Sequence, residues 1–299
     1  MVKRTLYFGN PAYLKTKTEQ VVIEKQNDGE VISVPIEDVG LIVLDHGQIT
    51  ITSGLMAKLL EKNVALISCD NTHHPTGLML NLDGHTLQSR QFAAQIESSL
   101  PLKKQLWQQT ITAKIYNQAT LLKQLNKENK FLLNLAKDVK SGDSENHEAK
   151  AASYYWKNLF PPFVGAFRRD RYGMPPNNML NYGYAILRAV VARSLVGSGL
   201  LPTLGIFHRN QYNAYCLADD IMEPYRPFVD KLVCNMLDPL EPAFELTPEI
   251  KRQLLTIPAM DVYINGDKSP LMIGVQRTTA SLAKCFEGKG KNIVYGELE

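Results

Sequence analysis

Val39-Gly-Leu-Ile-Val-Leu44 is an unbroken apolar run of strand length, and the segments around it have the same character. Val21-Val-Ile-Glu24 and Val31-Ile-Ser-Val-Pro35 precede it, with turn signals at Asn27-Asp-Gly29 and His46-Gly47. Thr52-Ser53 can cap one helix from Gly54 to Lys62, with Asn63 as its stop and a strand, Val64-Ala-Leu-Ile-Ser68, after it. From about Thr86 the composition turns to Gln, Lys, Leu and Ala, and the apolar period lengthens. Trp107, Ile111 and Ile115 recur every four residues, and Leu122 and Leu125 continue the stripe. The pattern predicts an α+β fold: a small β-rich amino-terminal domain, residues 1–85, followed by a larger all-helical domain, residues 86–299.

Further helices are predicted from about His147 to Pro161-Pro162, and from a cap at Asn177 or Asn178 to Gly197 or Gly199. Thr247-Pro248-Glu249 and Ser269-Pro270 read as two more starts with proline at the first helical position. The 299 residues, 44% hydrophobic and 21% charged, are enough for a real core and exclude wholesale disorder. No secretory signal opens the chain, and Arg188 and Arg193 break its most apolar stretch, so a cytoplasmic protein without a membrane span is expected. Cys69, Cys216, Cys234 and Cys285 form no C-x-x-C pair and read as buried thiols. A net charge of +3 means that any nucleic-acid partner must be held by local patches.

Three places could carry chemistry. Asp45-His46 with Asp70, His73 and His74 offers metal-ligand types, although the spacing matches no metal motif and an ordinary loop explains it equally. In His147-Glu-Ala-Lys-Ala-Ala-Ser-Tyr-Tyr-Trp156, Glu148, Ala151, Ala152 and Tyr155 fall on one helix face. A carboxylate beside small residues lets a substrate backbone approach; the alternative is a solvated acid in the first turn. His208 and Glu223 would stand roughly 22 Å apart on one continuous helix. Pro224, however, predicts a new helix starting at Asp219 or Asp220, so that the segment between folds back and brings His208 near Glu223. Asp220-x-x-Glu223 could instead be a capping box. Arg168, Arg169 and Arg171, with Arg188 on the next helix, suit phosphate binding, or are solvated surface.

Together His147–Trp156, Asn177-Asn-Met-Leu-Asn-Tyr-Gly-Tyr-Ala-Ile-Leu187, Gly205-Ile-Phe-His208 and Leu217-Ala-Asp-Asp-Ile-Met-Glu-Pro-Tyr-Arg-Pro227 resemble the CRISPR-associated spacer-acquisition integrase family, most closely its type II branch. Leu41 to Asp70 resembles the family's amino-terminal domain, so the likeness spans nearly the whole chain. The resemblance implies a homodimer whose Glu148, His208 and Glu223 bind Mg²⁺ or Mn²⁺, with Asn181 and Tyr155 supporting them and Arg168, Arg169, Arg171 and Arg188 holding DNA. It implies an endonuclease and integrase that joins 3′-hydroxyl ends of short foreign DNA into the CRISPR repeat by transesterification. Two dimers would flank a dimer of a small companion adaptation protein in a heterohexamer, with other type II CRISPR proteins as further partners. The competing expectations are a non-catalytic DNA-binding scaffold and a small-molecule metallohydrolase.

Overall fold

A computed structural model describes residues 3–25, 29–160, 164–237 and 245–299. The amino-terminal region holds strands β1 (Arg4–Phe8), β2 (Ala12–Lys17), β3 (Gln20–Lys25), β4 (Val31–Pro35), β5 (Val39–Leu44) and β6 (Thr50–Ile51), helix α1 (Ser53–Glu61), and strands β7 (Ala65–Cys69) and β8 (Pro75–Met79). They form two four-stranded sheets, β1-β5-β7-β8 and β4-β3-β2-β6. In the first, β5 lies parallel to both β1 and β7. A strand sandwiched in this way is apolar on both faces, which accounts for its unbroken run. Ile42 points into a small core with Leu14, Val21, Leu55 and Leu59, while Leu41 and Val43 join the core of the helical region. Thr52 caps α1 by accepting from the Leu55 N–H, as expected.

The helical region comprises α2 (Gln88–Ile96), α3 (Leu100–Gln124), α4 (Lys130–Asp138), α5 (His147–Leu159), α6 (Asn177–Gly197), α7 (Cys216–Met222), α8 (Arg226–Met236), α9 (Pro248–Leu254) and α10 (Leu271–Phe286). A two-stranded antiparallel ladder, β9 (Asp261–Ile264) with β10 (Asp267–Pro270), interrupts it; runs of four residues are too short for period-two reading to catch. Most of α6 is buried, and it crosses α8 closely at Gly183, where an added Cβ would lie 2.5 Å from Val229. Arg193 on α6 is buried and donates to the Asn63 carbonyl at 2.5 Å, linking this helix to the end of α1.

Three predicted helix starts are corrected. Asn177 does not cap α6. Its side chain turns back to the preceding loop, accepting from Arg169 and the Asp170 N–H and donating to the Arg168 and Met174 carbonyls. Ser269 lies in β10 rather than capping α10, whereas Thr247 does cap α9 through the Ile250 N–H. The helix carrying Asp219 and Asp220 begins earlier, at Cys216, because Tyr215 already accepts from the Asp219 N–H. The turn expected at Asn27-Asp-Gly29 lies partly outside the described residues, and Pro161-Pro162 wholly so. Among the described residues no helix is long and apolar enough to cross a membrane. Cys216 and Cys285 are buried and Cys69 and Cys234 half-buried, all as free thiols.

Candidate metal and DNA site

Glu148 sits in the first turn of α5, and both ends of that helix are fixed. Asp143 accepts from the His147 N–H at 2.8 Å and the Glu148 N–H at 3.0 Å, replacing a cap at Asn146, which has none. At the other end the Lys127 ammonium satisfies the carbonyls of Asn158, Leu159 and Phe160. From that anchored start the Glu148 carboxylate reaches Lys114 of α3 at 2.7 Å.

Glu223 opens a single 3₁₀ turn, Glu223–Tyr225, between α7 and α8, and Pro224 falls where the helical ladder needs no donor. Its carboxylate lies 2.7 Å from the same Lys114 ammonium and 2.8 Å from Arg226. Burial alone would raise its pKa, but Arg226 and Lys114 hold it down at about 2, so Glu223 is a carboxylate at any working pH.

His208 is brought in by the loop between α6 and α7. Gly205 opens that approach: a Cβ there would meet the His208 carbonyl at 2.4 Å and Asp220 at 2.7 Å. Phe207 stacks on the buried Trp107 of α3 with ring centroids 4.2 Å apart, and His208 meets Trp107 edge-on. The fully buried Asp220 then accepts from the Phe207 N–H, the His208 N–H and, at 2.5 Å, His208 Nδ1. Asp220 is thus an orienting acid for the imidazole and not part of a capping box. Its hydrogen bond, against the pull of burial, holds the His208 pKa above 6.5, with the negative field of Glu223 and Glu148 adding to it. With Nδ1 committed, Nε2 is the ring nitrogen left to ligate.

The structure therefore draws Glu148 and Glu223 to the one ammonium of Lys114, and the His208 imidazole, held by Asp220, lies in the electrostatic field of both carboxylates. Among the described residues no three His, Cys, Asp or Glu side chains stand close enough together to hold a metal ion. The donor chemistry nonetheless suits a hard divalent cation: two carboxylates that already share one positive charge, and an imidazole held by a carboxylate behind it.

Other predicted site residues separate into two groups. Arg168 and Arg171 are exposed on the loop before α6. Arg169 instead points inward, donating to Asn177 and Asn181 and lying over the Tyr184 ring. Arg188 makes a two-pronged pair with Asp219 at 2.7 and 3.1 Å, so its charge is already matched within the chain. Asn181 holds that same loop, through Arg169 and the Arg171 carbonyl. Tyr155 is fully buried and donates to Asp230 at 2.7 Å, so it supports α8 rather than the three candidate ligands. The other candidate cluster is structural. Asp45 is occupied by Tyr7, His73 and Lys251, and Asp70 closes a turn with Thr72 and His74. Sequence reading missed Lys114, Asp220 and Arg226. The available signal was a lysine on the buried stripe of α3, one turn after Ile111.

The sequence profile described as CRISPR associated protein Cas1 matches residues 6–243. The chain belongs to the Cas1 family. A relative from Neisseria meningitidis serogroup C (strain 8013), the CRISPR-associated endonuclease Cas1, is 38% identical over 257 residues, 85% of this chain and 83% of the relative. Another Cas1 endonuclease, from Francisella tularensis subsp. novicida, is 26% identical over 93% of each chain. Among solved structures, a casposase bound to integration product superimposes with a TM-score of 0.79 at 20% identity, covering 98% of this chain and 92% of the other. A CAS1 protein from Thermotoga maritima gives 0.75 at 16% identity, covering 99% and 100%. These two likenesses establish that the family fold extends across the whole chain.

Proposed function

We propose that this member of the Cas1 family is a divalent-metal-dependent DNA endonuclease and integrase of CRISPR adaptation. It joins the 3′-hydroxyl ends of short foreign fragments into the repeat by transesterification. The observation that carries this reading is the convergence of Glu148 and Glu223 on the Lys114 ammonium, with the His208 imidazole held by Asp220 in the field of both carboxylates. The 38% identical relative, itself called an endonuclease, supports the activity class.

Glu148, Glu223 and His208 Nε2 would hold the cation, which would polarise the phosphodiester and acidify the attacking 3′-hydroxyl. Asp220 keeps the imidazole in the tautomer that ligates. Arg226 keeps Glu223 ionised and aimed. The exposed Arg168 and Arg171 hold phosphates through their guanidinium groups, a contribution that weakens with salt. One phosphodiester is exchanged for another, so the step needs no covalent protein intermediate. Water in place of the hydroxyl gives cleavage. A cytoplasmic homodimer, paired in a heterohexamer with a small companion adaptation protein, completes the proposal. Strand transfer into supercoiled plasmid tests it: Glu148→Ala, His208→Ala and Glu223→Ala should each abolish Mn²⁺-dependent joining, while DNA binding persists. Any one of these variants, folded and joining DNA at the native rate, contradicts the assignment.

A further inference from the structure

Lys114 stands where a metal's charge would. Its ammonium is 2.7 Å from Glu148 and 2.7 Å from Glu223, and its side chain is only 10% exposed. Two carboxylates brought this close, one of them buried, repel each other unless a cation lies between them. Lysine provides that cation as a point charge on a flexible four-carbon stem.

The stem also has somewhere to go. Beside Lys114 lies a cavity of about 190 Å³ whose walls include Gln118, the acids Glu223 and Asp230, Tyr184, and the guanidinium-bearing Arg169 and Arg226. Gln118 follows Lys114 by one helical turn on α3, within reach of a side chain on the same face. Its Oε1 is buried and has no hydrogen-bond partner among the described residues. An unmet buried acceptor is unfavourable, and an ammonium is the donor best suited to meet it.

We propose that Lys114 is a tethered cation that holds the Glu148–Glu223 pair in the metal-free protein and gives way to an entering divalent metal, its ammonium moving into the adjoining cavity to bond Gln118 Oε1. The proposal rests on the reading that Glu148, Glu223 and His208 hold a metal, and it adds how that site is kept intact before loading. No covalent bond changes. A single charge between the carboxylates is exchanged for a double one, and the displaced ammonium remains beside the site as a positive group for an incoming phosphodiester. Metal affinity is then the outcome of a competition built into α3.

The test is calorimetric titration of the full-length chain with MnCl₂, using Glu148→Ala as the blank and thermal unfolding in parallel. Lys114→Met removes the charge and keeps the stem. Its Mn²⁺ dissociation constant should fall by at least about tenfold, because a close buried competitor is gone. Its metal-free melting temperature should drop below that of the wild type and recover with Mn²⁺. Gln118→Leu removes the landing acceptor and should weaken Mn²⁺ binding by about threefold or more. Lys114→Met binding Mn²⁺ no more tightly than wild type overturns the exchange. Should Lys114→Met fail to fold, unchanged affinity in Gln118→Leu overturns it alone. Wild-type protein that takes up no Mn²⁺ overturns the metal reading itself, a result distinct from loss of the competition with metal bound.

Discussion

Asp230 shows how strongly the helical core bears on a single acid. It is fully buried on α8 and accepts from Tyr155 at 2.7 Å and Tyr184 at 2.5 Å. Burial pushes its pKa up to about 6, although the two tyrosine donors, Arg226 and Arg169 act in the other direction. A carboxyl whose pKa is higher folded than unfolded favours the fold while protonated. That contribution is complete below the unfolded value of 3.8 and lost as pH rises through 6. Asp230→Asn keeps an acceptor but cannot ionise, so between pH 4 and 7 the wild type should lose up to about 3 kcal/mol more stability than the variant. Urea unfolding at the two pH values reads this difference; equal losses would contradict it. At the same scale, Glu148, His208 and Glu223 could be read as candidates because their order in the chain resembles the family's. Lys114 and Asp220 could not, since a lysine on a helix stripe and an aspartate near a helix start each have commoner uses on solvated faces and caps.

At the scale of elements, the turn bearing Glu223 is held from outside its own helices. Asn117 on α3 donates to the Pro224 carbonyl at 2.7 Å and the Gly296 carbonyl at 2.9 Å, and accepts from the Leu298 N–H at 3.0 Å. Tyr225 adds a bond from the Gly296 N–H at 3.0 Å. The carboxyl-terminal segment is thus a strap behind the candidate site. Asn117→Ala leaves three buried backbone groups unmet and should lower stability by about 2–4 kcal/mol. A shift in the urea midpoint measures it, and a loss under about 0.5 kcal/mol would mean that the strap does not need this residue. Elements with a clear period or cap were legible here, as β5, α1, α3 and α9 illustrate. The start of α7 and the strap were not: α7 follows a loop with no period of its own, and the strap depends on contacts across more than a hundred positions.

Across the molecule, β5 separates two cores. One of its faces closes the small core of the sheets, and the other joins the core of the helical region. The α+β order was visible in the change of apolar period near Thr86. That Leu41, Val43, Ala65 and Ile67 would share a core with the helices was not, since periodicity gives the face and not its partner. This arrangement places α3 at the centre of the candidate site: Trp107 seats the His208 loop, Lys114 joins the carboxylates, and Asn117 holds the Glu223 turn. The central claim is that Glu148, Glu223 and His208 take a divalent cation. Anomalous diffraction at the manganese edge, from crystals of the full-length protein grown with Mn²⁺, addresses it most directly. A peak bonded to Glu148, Glu223 and His208 Nε2, with Lys114 withdrawn toward Gln118, is the predicted result; no peak there, with Lys114 still bridging the two carboxylates, would contradict it.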